Sequence, residues 1–305
     1  MKARVVIAGG TGFIGRTLAP FLASSGYDVV VLTRGSERDG AIRHAYWNGE
    51  SAGEWISEID GATAIVNLAG RSINCRHTPA HQREIIVSRV ESIRALAAAM
   101  TQCAKPPRLF VQAAGIGIYG DTGERICDES APAGGDFLAE ICQRWEAAFE
   151  WVNASSGTRK VLLRIGVVLG RGGGFLDLLG KLTRLFLGGH VGNGRQFISW
   201  IHERDLCRIV LHALVHEEIR GSFNATAPEP VTNAEFMREL RRALHRPWTP
   251  PLPALAARLG GWLLGTEGSL ALVSQRCVPK RLLDAGFVFS FPTLASALAE
   301  IYPTS

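Results

Sequence analysis

No two of the six cysteines, Cys75, Cys103, Cys127, Cys142, Cys207 and Cys277, form a C-x-x-C pair, and none has metal-ligand spacing. The sequence therefore predicts no metal site and fits reduced thiols in a cytoplasmic setting. Long unbroken apolar runs are also lacking. The most apolar late stretch, 252–273, is interrupted by Arg258, Glu267 and several glycines, too often for a membrane span. The chain enters a short apolar run at residues 5–8 without the layout of a signal peptide. Blocks of like charge are missing too. The 33 Lys and Arg against 28 Asp and Glu leave a net charge of +5, and the basic residues are dispersed, which predicts no nucleic-acid partner. No internal repeat and no low-complexity tract is present.

What is there suits a folded enzyme-sized protein. At 305 residues, 47% hydrophobic and 20% charged, the chain can bury a large core in one big domain or two coupled ones. Its mildly basic balance suits an anionic cofactor or substrate, as it suits many ordinary enzymes.

Up to residue 170, short β-branched runs alternate with helical patterns. Strands are predicted at 4–8, 28–32, 64–68, 109–113 and 160–168, and helices at 14–25, 87–100 and 137–152. That alternation predicts an α/β fold, a Rossmann-type doubly wound parallel sheet covered on both faces. Beyond Gly170 the pattern loosens. Glycine-rich turns at 171–174 and 188–194 flank a helix at 175–187. A strand at 197–201, a helix at 204–216 and a strand at 221–225 follow, then helices at 233–244, 252–264 and 269–285. Prolines 247, 250, 251 and 253 mark a linker before the last segment. The predicted organisation is a dinucleotide-binding unit over 1–170, with 198–227 contributing to it, and a smaller, mostly helical lobe over 171–197 and 228–305.

The firmest motif is Gly9-Gly10-Thr11-Gly12-Phe13-Ile14-Gly15, between the first strand and the first helix. Gly9 permits a tight turn, Gly12 lets backbone approach a pyrophosphate, and Gly15 lets the helix pack closely. The helix N-terminus then offers free N–H groups and a positive dipole end to phosphates. A Rossmann protein specific for NAD places an acid at the end of the second strand, about 20 residues on. Here that strand runs Val31-Leu32-Thr33-Arg34. Arg34 is suited to a 2′-phosphate, with Thr33 donating a hydrogen bond and Arg38 nearby, so NADP(H) is the expected cofactor. The alternative is that Arg34 is a solvated turn residue.

With Asn67-Leu68-Ala69-Gly70 after the fourth strand, the glycine loop resembles the extended, epimerase-like type of the short-chain dehydrogenase/reductase superfamily. Further motifs narrow the resemblance: Phe137–Cys142 with Trp145-Glu146, the run Arg164–Gly174, Gly194-Arg195-Gln196, Ser199-Trp200-Ile201-His202 and Thr232–Phe236. The tail matches too, through Val278-Pro279, Gly286-Phe287 and Phe291-Pro292. Together they are similar to an atypical branch of NAD-dependent epimerase/dehydratase-like proteins, over nearly the whole chain. By position, the resemblance implies cofactor contacts at Thr33, Arg34, Leu68, Ala69, Glu84, Arg89 and Val168. Gly70 and Ala114 border the same cleft. From the residues alone, Glu84 and Arg89 read equally well as a helix-surface ion pair.

Extended members of the superfamily use a Tyr-x-x-x-Lys pair and a Ser or Thr at the end of the fifth strand. The lysine lowers the tyrosine pKa, and the phenol exchanges a proton with the substrate oxygen. Here Leu138 stands where the tyrosine would be, Cys142 where the lysine would be, and Ala113-Ala114-Gly115 where the serine would be. The branch shares the departure at the tyrosine and lysine positions. Ordinary redox or epimerase chemistry is therefore in doubt, and other groups are candidates. Tyr119 reads as a substitute acid/base or as a structural Tyr-Gly turn, and Cys142 as a reactive thiol or a buried one. In the second cluster, Arg195 and Gln196 suit an anionic or polyhydroxyl ligand, Trp200 can stack, and His202 can titrate. The bland alternatives place Trp200 in the core and make His202 the cap of the 204–216 helix. Asp205 reads as a first-turn helix acid.

Two functions follow. One is an NADP(H)-dependent oxidoreductase or epimerase acting on a small polar or nucleotide-linked substrate through Tyr119, His202 or Asp136. The other is an NADP(H)-binding sensor or regulatory protein without robust catalysis. A small-molecule partner is expected in either case, and neither a nucleic-acid nor a membrane partner is. Oligomeric state is not legible in the sequence.

Overall fold

The computed structural model describes residues 2–35, 42–152, 157–263 and 267–303. Its first half runs β1 (Arg4–Ala8), α1 (Phe13–Ser24), β2 (Asp28–Thr33), β3 (Arg43–Tyr46), α2 (Ile56–Ile59), β4 (Ala64–Asn67), α3 (Pro79–Gln102) and β5 (Leu109–Gly115). After a 3₁₀ turn at Ile116–Tyr119 come β6 (Ile126–Cys127), α4 (Phe137–Glu150), β7 (Arg159–Ile165) and β8 (Val167–Leu169). The rest is α5 (Gly174–Arg184), β9 (Phe197–Ile198), β10 (Trp200–His202), α6 (Glu203–Val215), β11 (Gly221–Ala225), β12 (Val231–Thr232) and α7 (Asn233–Ala243). It closes with α8 (Ala254–Leu263), a 3₁₀ turn at Gly268–Leu272, β13 (Arg276–Cys277), α9 (Lys280–Asp284) and α10 (Leu294–Ile301).

Seven parallel strands form one sheet in the order β11-β7-β5-β4-β1-β2-β3, the doubly wound α/β arrangement predicted from the alternation. β1 shows why the strands read as continuous apolar runs. Val5 and Ile7 enter the core under α1 and α6, while Val6 and Ala8 enter the core under α2 and α3. A strand buried on both faces shows no alternation of apolar and polar residues. The chain steps outward from β1 through β2 to β3, then returns to β4 on the other side of β1. That reversal opens a crevice at the carboxyl ends of β1 and β4, where doubly wound folds bind their ligands.

A third cluster joins Leu176 of α5, Trp200, Phe236 and Leu240 of α7, and Leu294, Leu298 and Ile301 of α10. Asp205, buried in α6, ties the tail to the body by accepting from the backbone N–H of Ser290 and Phe291, both at 2.9 Å. Its role thus extends beyond that of a first-turn acid. No helix among the described residues is long and apolar enough to cross a membrane.

Several boundaries differ from those predicted. The strand expected at 160–168 is two, β7 and β8, because the chain turns at Gly166. A Cβ there would meet Ser199 O at 2.7 Å. Helix α3 starts at Pro79, eight residues earlier than its apolar face suggests, because Thr78 caps it and proline occupies its first turn. The helix predicted at 269–285 is instead a 3₁₀ turn, β13 and α9. Pro279 breaks the run, and Cys277 pairs in parallel register with Cys127. Residue 264, the predicted end of the preceding helix, lies outside the described residues.

Candidate dinucleotide site

The loop after β1 and the loop after β4 meet in the crevice. Gly9 has φ +75°, and a Cβ on it would lie 2.8 Å from Ala69 N, so both conformation and space demand glycine. Gly15 is held more tightly still, since its Cβ would lie 2.4 Å from Gly10 Cα. Gly12 differs. It is the N-cap of α1 with an ordinary extended backbone, φ −73° and ψ 176°, and its nearest non-neighbour atom would be 3.4 Å from a Cβ. Nothing among the described residues requires glycine there. No side chain caps α1, and its first turn carries no acid, so the N–H groups of Phe13, Ile14 and Gly15 have no intrahelical acceptor. Thr11 lies in the turn before them. The Phe13 ring packs under a second glycine turn, where a Cβ on either Gly173 or Gly174 would come within 2.9 Å of it.

The Leu68–Gly70 loop is set by a buried polar trio that the sequence reading passed over. Asn67 Oδ1 accepts from Ala69 N at 3.0 Å, while its Nδ2 donates to Gln112 Oε1 at 2.9 Å and Ser92 Oγ at 3.2 Å. Leu68 N donates to Ala8 O, which ties this loop to β1. The available signal was an amide at the end of an otherwise apolar strand. Buried amides must find partners, and here they fix a turn.

At the end of β2, Thr33 is buried and accepts from Gly35 N at 3.1 Å, while Arg34 is exposed. Arg38 lies outside the described residues. Glu84 and Arg89 do not pair with each other, so the helix-surface ion pair is not formed. Glu84 pairs with Arg71. Arg89 turns inward and is only 8% exposed. It donates to Arg71 O at 2.8 Å and Ile85 O at 2.9 Å, and stacks 4.7 Å from the centroid of Trp145. Its Nε is buried without a partner, and no carboxylate among the described residues pairs with it. Burial pulls this guanidinium down to about 10, with a small opposing contribution from Cys142. A buried cation without a counter-ion is costly, and an anionic ligand would relieve that cost. Gly70 backs onto it, 3.1 Å from Arg89 Cγ at the Cβ position.

On the far side of the cleft, Ala114 is buried in β5 and pairs in register with Arg164, while Val168 pairs with Ile201. Leu138 and Cys142 face Gly117, whose Cβ would lie 3.4 Å from both Leu138 Cβ and Cys142 Sγ. Burial raises the Cys142 thiol to about 12, Glu146 adds to the rise, and Arg89 opposes it. At neutral pH this is a protonated thiol, hence a poor nucleophile.

The other candidate acid/base groups are engaged elsewhere. Tyr119 is 1% exposed. It donates to Asn224 Oδ1 at 2.7 Å and accepts from Arg164 at 2.8 Å, and desolvation raises its pKa despite that arginine. Asp136 caps α4, accepting from Ala139 N at 2.9 Å, and its other oxygen accepts from Asp121 N at 3.2 Å. His202 is fully buried and caps α6, with Nδ1 accepting from Arg204 N at 3.1 Å, which places the ring proton on Nε2 facing Glu300 at 3.2 Å. Trp200 is buried in the third core cluster and donates from Nε1 to Glu229 O at 3.1 Å. Gln196 staples two loops through Val191 O and Ala271 O. Of that second cluster only Arg195 keeps an exposed side chain. The structure brings the residues of 9–15, 68–70 and 33–34 to one crevice. It leaves Tyr119, Trp200 and His202 buried in the framework and Asp136 half-buried at the start of α4.

Two family models match this chain: the NAD dependent epimerase/dehydratase family over residues 5–225, and a domain of unknown function over 252–301. The epimerase family protein SDR39U1 of Bos taurus is 38% identical over 304 residues, covering 98% of this chain and 99% of its own. The crystal structure of human epimerase family protein SDR39U1 with NADPH superposes with a TM-score of 0.89 at 35% identity, covering 99% of this chain and all of that one. The nucleoside-diphosphate sugar epimerase of Corynebacterium glutamicum gives 0.79 at 32% identity, covering 99% of this chain but 58% of the larger protein.

Proposed function

The chain belongs to the NAD dependent epimerase/dehydratase family, and from that premise we propose that it binds NADP(H) in the crevice between β1 and β4. The observation that carries this reading is Gly12, a glycine that neither backbone conformation nor packing requires, at the uncapped start of α1. A pyrophosphate approaching that backbone supplies the missing reason. The loop Gly9–Gly15 holds the pyrophosphate, with the N–H groups of Phe13 and Ile14 facing it. Leu68, Ala69 and Gly70 line the opposite wall. Arg34 and Thr33 meet the 2′-phosphate in place of the acid that would favour NAD. Glu84, Arg89, Ala114 and Val168 complete the cofactor contacts, with Arg89 supplying a buried positive charge. The human relative's NADPH supports the choice of dinucleotide.

In this reading residues 1–170, with 198–227, hold the cofactor. The lobe of 171–197 and 228–305 then borders a small polar or nucleotide-linked substrate, with Arg195 as its exposed anion contact. The free thiols suit a reducing compartment such as the cytoplasm. When bound, NADPH supplies a hydride donor. The three candidate proton donors, Tyr119, Asp136 and His202, are each committed to internal hydrogen bonds. That commitment favours a second reading, a sensor or regulatory protein without robust catalysis, over an oxidoreductase or epimerase using substitute groups. Thermal-shift titration tests the first claim. NADPH is expected to raise the melting temperature at concentrations where NADH does not, and equal shifts from both would overturn the NADP(H) assignment. Prolonged incubation with the cofactor and candidate nucleotide sugars or their keto forms separates the two readings, since either net NADPH oxidation with a reduced product or a new sugar epimer without net cofactor change would restore the enzyme.

A further inference from the structure

A ribbon of exposed apolar side chains lies beside the third core cluster, built from the loop after α5, the linker into α8 and α8 itself. The loop and the linker lie side by side. Leu252 N donates to His190 O at 2.8 Å, Gly192 N donates to Leu252 O at 2.9 Å, and Arg246 stacks 5.3 Å from the Phe186 ring. The ribbon holds its apolar side chains in solvent. Trp248 is 74% exposed, Leu185 and Leu255 are each 69% exposed, and Phe186, Leu187 and Leu259 are exposed as well. Two features fix this presentation. Prolines at 247, 250 and 251 restrict the backbone around Trp248. Phe186 (φ +61°) and His245 (φ +51°), the two non-glycine residues with positive φ among the described residues, both lie here. A bulky residue in the left-handed region is strained and tends to mark a functional site.

The charge around the ribbon is predominantly basic. From 178 to 202 the sequence has Lys181, Arg184 and Arg195 and no acid, and from 240 to 257 it has Arg241, Arg242 and Arg246 and no acid. Four acids flank these segments: Asp177 is paired with Lys181, Glu239 with Arg238 and Arg242, while Glu203 accepts from Thr17 and Glu267 from Ser269. Leucine, phenylalanine and tryptophan tips beside an excess of arginine match an anionic bilayer. There the apolar tips enter the acyl boundary, tryptophan sits at the headgroups, and arginines meet lipid phosphates.

We propose that the ribbon of Leu185, Phe186, Leu187, Trp248, Leu255 and Leu259 docks this protein peripherally on membranes rich in anionic phospholipid. This departs from the sequence expectation, which weighed only membrane-spanning segments. It is independent of what the crevice binds.

The test is co-sedimentation of the full chain with vesicles of phosphatidylcholine alone and of phosphatidylcholine mixed with phosphatidylglycerol. The protein is expected to pellet with the anionic vesicles, to stay in solution with the neutral ones, and to be released by salt. Each arginine removed from the surface field weakens partition roughly fivefold, so Arg184→Gln with Arg246→Gln lowers it on the order of twentyfold. Leu185→Gln with Leu255→Gln, at two solvent-exposed positions, lowers it while leaving the melting temperature unchanged. Failure to pellet with anionic vesicles overturns the proposal, and so does equal pelleting with both compositions. A dimer seen by light scattering and dissolved by the leucine pair would also overturn it, because a second copy would then own the ribbon.

Discussion

Arg164 donates to the Tyr119 hydroxyl at 2.8 Å while the same guanidinium forks onto both oxygens of Glu146 at 2.9 Å. Tyr119 donates its hydroxyl hydrogen bond to Asn224 Oδ1, and Asn224 Nδ2 in turn donates to Val278 O at 3.0 Å. The network thereby ties β7, α4, β11 and the C-terminal segment together in a part of the molecule where water is scarce. Tyr119→Phe leaves the Asn224 oxygen and one arginine N–H without a partner, and an unsatisfied buried group costs roughly 1–3 kcal/mol. We expect the unfolding free energy, read by denaturant titration, to fall by that amount with an unchanged NADPH titration. A variant of normal stability that loses a measurable turnover would instead make Tyr119 an acid/base group.

Gly12 and Gly15 stand three residues apart in one motif and are expected to fail in opposite ways. Gly15→Ala drives a methyl to within 2.4 Å of Gly10 Cα, so the loop or helix must shift and stability falls. Gly12→Ala meets nothing closer than 3.4 Å and keeps its backbone conformation, so the melting temperature of the unliganded protein changes little. The new methyl does stand where a pyrophosphate would approach, so NADPH affinity should collapse. Melting curves with and without NADPH on the two variants check both halves. Retained affinity in Gly12→Ala would remove the main support for the phosphate loop.

How much of this was legible beforehand depends on whether the cause is local. The β1–loop–α1 unit was readable because glycine spacing, strand and helix are contiguous in sequence. The two-faced sheet was readable because strands such as Ala64–Asn67 are almost wholly apolar. Asn67, Gln112 and Ser92 were not recognised as a unit, since their pairing exists only once β4, β5 and α3 are assembled. Arg89 shows the same limit. Its sequence neighbours suggest a partner at Glu84, but the Leu68–Gly70 loop and Trp145 draw the guanidinium inward and leave Glu84 to Arg71. The tail was misread as helix at 269–285 because its apolar spacing imitates one, whereas the pairing of Cys277 with Cys127 across 150 residues decides it.

Arg34 is the residue on which cofactor preference turns in the proposed site. It is exposed and follows a strand end that carries no acid. Arg34→Asp replaces a phosphate donor by a carboxylate, which repels a 2′-phosphate and can accept from a ribose 2′-hydroxyl. NADPH binding should weaken by at least tenfold while NADH binding holds or improves, read by calorimetric titration of both cofactors. Parallel losses would mean that Arg34 does not read the 2′-phosphate, and no change in either affinity would make it a solvated turn residue.

His202 gives the expected pH signature. Its ring is fully buried, stacked 3.9 Å from Phe291, and burial lowers its pKa from 6.5 despite the opposing pull of Glu300. The neutral ring is therefore favoured in the folded protein. Above pH 6.5 the ring is neutral whether the chain is folded or not, and the stability it lends is fully present. As the pH falls below that value the unfolded chain takes up the proton first, so stability declines until the folded-state value is reached. His212, also lowered by burial, adds to the same slope. His202→Asn keeps an acceptor at the α6 cap without the titration. Its unfolding free energy, measured by denaturant titration from pH 7.5 to about 5, should therefore fall less steeply than that of the parent protein. An identical slope would mean that the His202 proton is already present in the folded state, shared with Glu300, and that the loss of stability at low pH comes from elsewhere in the fold.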